Sequence, residues 1–129
     1  MNRRLLIIED NVQNLYMMRF LLEKSGFTVI GAEDGRQGVE TALRCDPVAI
    51  LLDIQLPEMD GYGVAAELKK HPEIDQVPII AVTSYAMVGD RERILAAGAT
   101  GYIEKPINPE TFVAEIVRYL PEIRDEAES

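Results

Sequence analysis

Cysteine is almost absent from this sequence. The single Cys45 cannot close an internal disulfide, and beside Asp46-Pro47 at an expected helix end it reads as a reduced structural side chain. Histidine is as scarce. His71 is the only one, and before Pro72 at a helix C-terminus its cationic form complements the helix dipole, a plainer role than catalysis. Positive charge is in deficit: 13 Lys and Arg stand against 22 Asp and Glu. The formal charge of −9 argues against a nucleic-acid backbone or an anionic membrane as partner. No apolar run approaches a membrane span and no signal peptide precedes the first strand-like run, so a cytoplasmic protein is expected. A Gly-rich loop ending in Lys-Ser/Thr is missing, which excludes a Walker-type nucleotidase. Repeats, low-complexity tracts and an interdomain linker are missing too. The 129 residues therefore read as one domain over 1–121 with a charged tail over 122–129.

What is present is a series of short apolar runs, each ending in a polar group. Val48-Ala-Ile-Leu-Leu52 ends in Asp53, and Leu5-Leu-Ile-Ile8 ends in Glu9-Asp10. Pro78-Ile-Ile-Ala-Val82 ends in Thr83-Ser84, and Gly101-Tyr-Ile103 runs into Glu104-Lys105-Pro106. Unbroken apolar runs suit parallel strands covered on both faces. Strands are expected at about 4–9, 27–31, 48–53, 78–82 and 100–103, with helices at about 11–25, 35–45, 61–70, 87–97 and 109–120. Gly26 stops the first helix, Asp34 with Gln37 resembles a capping box, and Asn108-Pro109 starts the last helix. Alternating strands and helices imply an α/β fold, a parallel sheet with helices on both faces.

Open α/β sheets bind ligands at the C-terminal ends of their strands. Three acids, a hydroxyl and an ammonium are delivered to that edge. Asp10 and Asp53 can each give magnesium a carboxylate oxygen, Glu9 can hold a metal-bound water, and the Gln55 carbonyl can be a further ligand. Crowded carboxylates should raise at least one carboxyl pKa unless a cation or Lys105 relieves them. Thr83 and Lys105 suit phosphoryl oxygens. Alone, Glu9-Asp10 is an ordinary helix start, Thr83 an ordinary strand end and Lys105 a solvated cation. Their convergence on strand tips favours the functional reading.

In order and spacing, Glu9-Asp10, Asp53, Leu56-Pro57-Glu58-Met59-Asp60-Gly61, Thr83 and Gly98-Ala-Thr-Gly-Tyr-Ile-Glu-Lys-Pro106 resemble the receiver domain of two-component response regulators, over about residues 4–120. The resemblance implies a (βα)5 flavodoxin-like receiver fold, a doubly wound five-stranded sheet in the order 2-1-3-4-5, the order general to chemotaxis-type regulators. It implies that Asp53 accepts a phosphoryl group from a histidine kinase or histidine phosphotransfer protein, since His71 is no donor. It implies magnesium on Glu9, Asp10, Asp53 and the Gln55 carbonyl, a phosphoryl group bound by Thr83 and Lys105, a switch made of Thr83 and Tyr102, and a cis Lys105-Pro106 peptide. Gln55 and Tyr85 fall where the family varies and tunes hydrolysis. The stretch Thr83-Ser-Tyr-Ala-Met87, with Gly89-Asp90-Arg91 and Lys105-Pro-Ile107, is similar to single-domain regulators of cell division and polarity. Such a chain acts on a downstream regulatory protein through its fourth helix, fifth strand and fifth helix.

The first helix holds more apolar residues than one buried stripe needs: Val12, Leu15, Tyr16, Met17, Met18, Phe20, Leu21 and Leu22. Some are ordinary exposed side chains. The sharper reading is a partner face of Asn14, Leu15 and Met17 with the Lys105-Pro106-Ile107 loop. Arg91-Glu92-Arg93 reads as a solvated helix face. Two alternatives share the architecture. A flavodoxin-like electron carrier needs a Ser/Thr/Gly-rich phosphate loop where this chain has Glu9-Asp10-Asn11. A small aspartate-dependent phosphatase commonly has a second Asp where Gln55 stands.

Overall fold

The computed structural model describes residues 2–56, 60–84 and 88–120, Val88 by its backbone alone. The expectations for Pro57-Glu58-Met59, Tyr85, Met87 and the tail lie outside the described residues.

Five parallel strands, β1 (Arg4–Ile8), β2 (Thr28–Ala32), β3 (Ala49–Asp53), β4 (Ile79–Thr83) and β5 (Gly101–Glu104), alternate with α1 (Val12–Lys24), α2 (Gly35–Cys45), α3 (Gly61–Lys69), α4 (Val88–Ala96) and α5 (Phe112–Val117). The sheet runs β2-β1-β3-β4-β5. The three inner strands are the three most apolar runs, and β3 and β4 are buried along their whole length. Side chains alternate across the pleat. Leu5, Ile7, Leu51 and Val82 meet Met18 and Leu22 of α1 and Phe112 and Ile116 of α5. Leu6, Ile8, Ile50 and Leu52 meet Ala42 of α2 and Val64 and Leu68 of α3. Each fully buried Leu or Ile contributes about 1.5–3 kcal/mol of transfer free energy, so the two layers hold the strand tips rigidly.

Local signals end the helices much as the residues suggest. Gly26 follows α1 with φ +94°, a conformation that other residues rarely adopt. Asp34 caps α2 by accepting the Gln37 N–H at 2.8 Å. The Gln37 side chain reaches back one residue further than a capping box does, accepting the Glu33 N–H at 2.7 Å. The last helix departs from expectation, starting at Phe112 instead of Pro109. The Asn108 carbonyl accepts N–H groups from Thr111 (3.2 Å) and Phe112 (2.9 Å), and its side chain accepts that of Glu110 (3.0 Å). Those bonds make residues 109–111 a tight turn ahead of the helix.

Candidate functional site

The site begins where β1 ends. The Glu9 N–H extends the ladder to the Ala32 carbonyl at 2.9 Å, which draws Glu9 into the interior at 1% exposure. Asp10 is exposed. Asn11 then starts α1: its side chain accepts the Asn14 N–H at 2.9 Å, and its own N–H donates to Glu9 Oε2 at 3.3 Å. Asp53 is the last residue of β3 and is 3% exposed. Because β1 and β3 are neighbours, Glu9, Asp10 and Asp53 each offer a carboxylate oxygen within 4.8 Å of one another.

Lys105 reaches the same point from β5. Its Nζ lies 3.0 Å from Glu9 Oε1 and 3.4 Å from Asp53 Oδ1. The Gln55 N–H donates to Asp53 Oδ1 at 2.9 Å, which fixes the carboxylate rotamer. The Lys105 N–H donates to the Thr83 carbonyl at 2.8 Å, and the Lys105-Pro106 peptide is cis. Asp53 is in register with Val82, so Thr83 stands one residue further along the adjacent strand, fully buried. Tyr102 lies opposite Ala81 on the next strand and packs its ring against Ile54, Ala81 and Ile94. The turn back into α3 passes close above the site. Asp60 caps α3 through the Gly63 N–H at 2.9 Å, and a Cβ on Gly61 would lie 2.5 Å from Ile54 Cα, so only glycine fits.

The electrostatics single out Glu9. Burial, and then its hydrogen bond with Asp53, push its pKa from 4.5 to about 7, against the opposing pull of Lys105. Burial alone would lower Lys105, but its pairing with Glu9 and Asp53 outweighs that and holds it above its ordinary value. Glu9 Oε1 is sealed from water and receives no well-aligned hydrogen bond, although Lys105 Nζ is near. An under-satisfied buried oxygen within an all-oxygen donor set is what a hard divalent cation fits.

Of the expected partner face, Asn14, Met17 and Ile107 line one cleft with Ser84, Lys105 and Pro106. Leu15 lies apart from it, partly buried against the core and packed over Gly31 of β2. The surplus apolar residues of α1 are Val12, Tyr16 and Phe20, which are 70%, 69% and 53% exposed. Their spacing of four residues was the available signal, because it puts all three on one stripe. The arginines of α4 are not simply solvated, as expected. The Arg91 guanidinium lies 5.1 Å from the Tyr102 ring centroid and 3.5 Å from Glu104 Oε1. That of Arg93 lies 4.2 Å from the Tyr62 ring centroid.

Comparison with known proteins agrees with this geometry. A family model described as the response regulator receiver domain matches residues 5–117. The polar-differentiation response regulator DivK of Brucella ovis is 42% identical over 120 residues, covering 93% of this chain and 98% of its own. Chemotaxis protein CheY4 of Vibrio cholerae superposes with a TM-score of 0.89 at 27% identity, over 93% of this chain and all of its own. The receiver domain of a sensor histidine kinase from Pseudomonas aeruginosa PAO1, with magnesium coordinated in its active-site cleft, gives a TM-score of 0.85 at 35% identity, over 94% of this chain and 99% of its own. These matches support neither an electron carrier nor a phosphatase.

Proposed function

Because the chain belongs to the response regulator receiver domain family, we propose that Asp53 accepts a phosphoryl group from a phosphohistidine on a partner kinase or phosphotransfer protein. Members of the family are generally signalling proteins, not metabolic enzymes, and bind magnesium at an acidic pocket. One observation carries the reading: three carboxylates and the Lys105 ammonium meet at the ends of three strands.

With Oδ1 engaged by the Gln55 N–H and Lys105, Oδ2 of Asp53 is the attacking oxygen. It bonds to phosphorus as the phosphorus–nitrogen bond to the imidazole breaks, and the nitrogen keeps the electron pair. Magnesium, bound by Glu9, Asp10, Asp53 and the Gln55 carbonyl, would neutralise charge on the transferring group. Lys105 pairs with one phosphoryl oxygen, and the Thr83 hydroxyl donates to another. The same residues assist phosphorylation by small donors and later hydrolysis.

Drawing Thr83 inward lets Tyr102 follow, which biases the face built by α4, β5 and α5 toward a downstream regulatory protein. The donor docks over α1 and the cleft that Asn14, Met17 and Ile107 line with Lys105, whose ammonium pairs with Asp53.

Incubation with acetyl phosphate and magnesium, read by intact-mass and peptide mass spectrometry, tests the assignment. A single added phosphoryl group should map to Asp53 and vanish in Asp53→Asn. Undiminished labelling of that variant would move the phosphoacceptor elsewhere.

A further inference from the structure

We propose that Arg91 is a latch on the switch: it holds Tyr102 in the position that the ring takes before phosphorylation. Arg91 and Ile94 are three residues apart on α4 and so share one side of the helix. Ile94 is buried with Ile54 and Ala81, and the half-buried Tyr102 ring packs on this cluster. Arg91 covers the ring, its guanidinium 5.1 Å from the centroid. Glu104 is two residues beyond Tyr102 on β5, hence on the same side of the strand, and its carboxylate anchors the guanidinium at 3.5 Å. The ring is thus held by an apolar cluster and a cation that is itself tied down. A planar guanidinium suits this double duty better than an ammonium does.

Arg93 provides an internal comparison. It covers Tyr62 at 4.2 Å, a contact of the same kind that ties α4 to α3. A brace that merely stabilises α4 would be served by either arginine, whereas a latch on the switch needs Arg91. Contacts this exposed are individually weak, so releasing the latch should shift the two arrangements of Tyr102 about three- to tenfold, not completely.

The latch rests on the proposed Thr83–Tyr102 switch, so the test reads both. The 129-residue protein is titrated with beryllofluoride in magnesium, as a stand-in for the phosphoryl group. Tyr102 ring resonances are followed by NMR together with the apparent affinity. Because coupling between two equilibria is reciprocal, removing the latch must tighten binding. Arg91→Ala should bind beryllofluoride about three- to tenfold more tightly, with its unliganded Tyr102 resonances already displaced toward the bound position. Glu104→Gln, which loosens the anchor but leaves the cation, should move the same way by less. Arg93→Ala should do neither. Unchanged or weaker binding by Arg91→Ala, or an equal gain in Arg93→Ala, overturns the latch while leaving the switch intact. Tyr102 resonances unmoved by beryllofluoride in the wild type overturn the switch and the latch with it.

Discussion

Glu9 bears the cost of bringing carboxylates into the interior at one sheet edge, chiefly through its own burial and then through its hydrogen bond with Asp53. Unfolded, it releases its proton near 4.5; folded, it keeps it to about 7. Between those values the folded state binds more protons than the unfolded one, so this stabilising contribution is full below the lower value and is lost as pH rises through the upper one. Glu9→Gln has no such loss. Urea unfolding of the metal-free protein at about pH 5 and about pH 8 should therefore show the Gln variant gaining on the wild type, by roughly 3 kcal/mol at most. Parallel pH profiles would assign the titration to another group. The sequence shows that one of these carboxyls must be perturbed, because acids follow apolar runs that converge. It does not show which one. Glu9 and Asp10 are consecutive, yet one is buried and the other exposed, and only the Glu9–Ala32 ladder bond turns Glu9 inward. Asp53 was the most legible residue, since a carboxylate after five apolar residues has few structural uses.

At the scale of elements, α1 shows what periodicity can and cannot resolve. Eight apolar residues on thirteen positions exceed one buried stripe, which flags a second, exposed role. Assigning individual residues to the two stripes needed the packing. Met18 and Leu22 enter the core, Leu15 covers Gly31, and Val12, Tyr16 and Phe20 face outward. Two substitutions on the outer stripe, Tyr16→Asp with Phe20→Asp, should slow transfer from a histidine phosphodonor protein at least several-fold. They should leave acetyl phosphate labelling and the urea midpoint near wild type, because exposed changes rarely exceed about 0.5 kcal/mol. Leu15→Asp should instead lower the urea midpoint, since it puts a charge against the core. If the double variant accepts phosphate from the partner at the wild-type rate, the outer stripe is not part of the interface. The start of α5 falls later than its sequence signal for a related reason. Asn108-Pro109 is a sound helix-start signal, but the carbonyl of Asn108 serves two N–H groups and delays the helix to Phe112. That arrangement of bonds is invisible in residue preferences.

For the whole molecule, the site exists only in the folded state, and magnesium should therefore stabilise the fold. A cation at about 100 times its dissociation constant adds about 2.7 kcal/mol if the unfolded chain does not bind it. Urea midpoints should rise with magnesium in the wild type and stay flat in Asp10→Ala; an equal rise in both would place the cation away from this cluster. No helix among the described residues is long and apolar enough to cross a membrane. The alternation of apolar runs and amphipathic stretches was sufficient to specify a parallel α/β sheet, because a strand buried on both faces must be apolar throughout and its crossovers must be helices. The polar residue closing each run was sufficient to name the strand tips, and motif order to name the family. Sheet order was legible only through the family resemblance, and burial and side-chain pairing were not legible in the same way. They depend on contacts between residues far apart in the chain: β1 between β2 and β3, Lys105 brought from β5 to Glu9 after β1, Arg91 of α4 over Tyr102 of β5. A local pattern records what each segment prefers, and only close packing decides which side chains share a site and which carboxyl is left short of water.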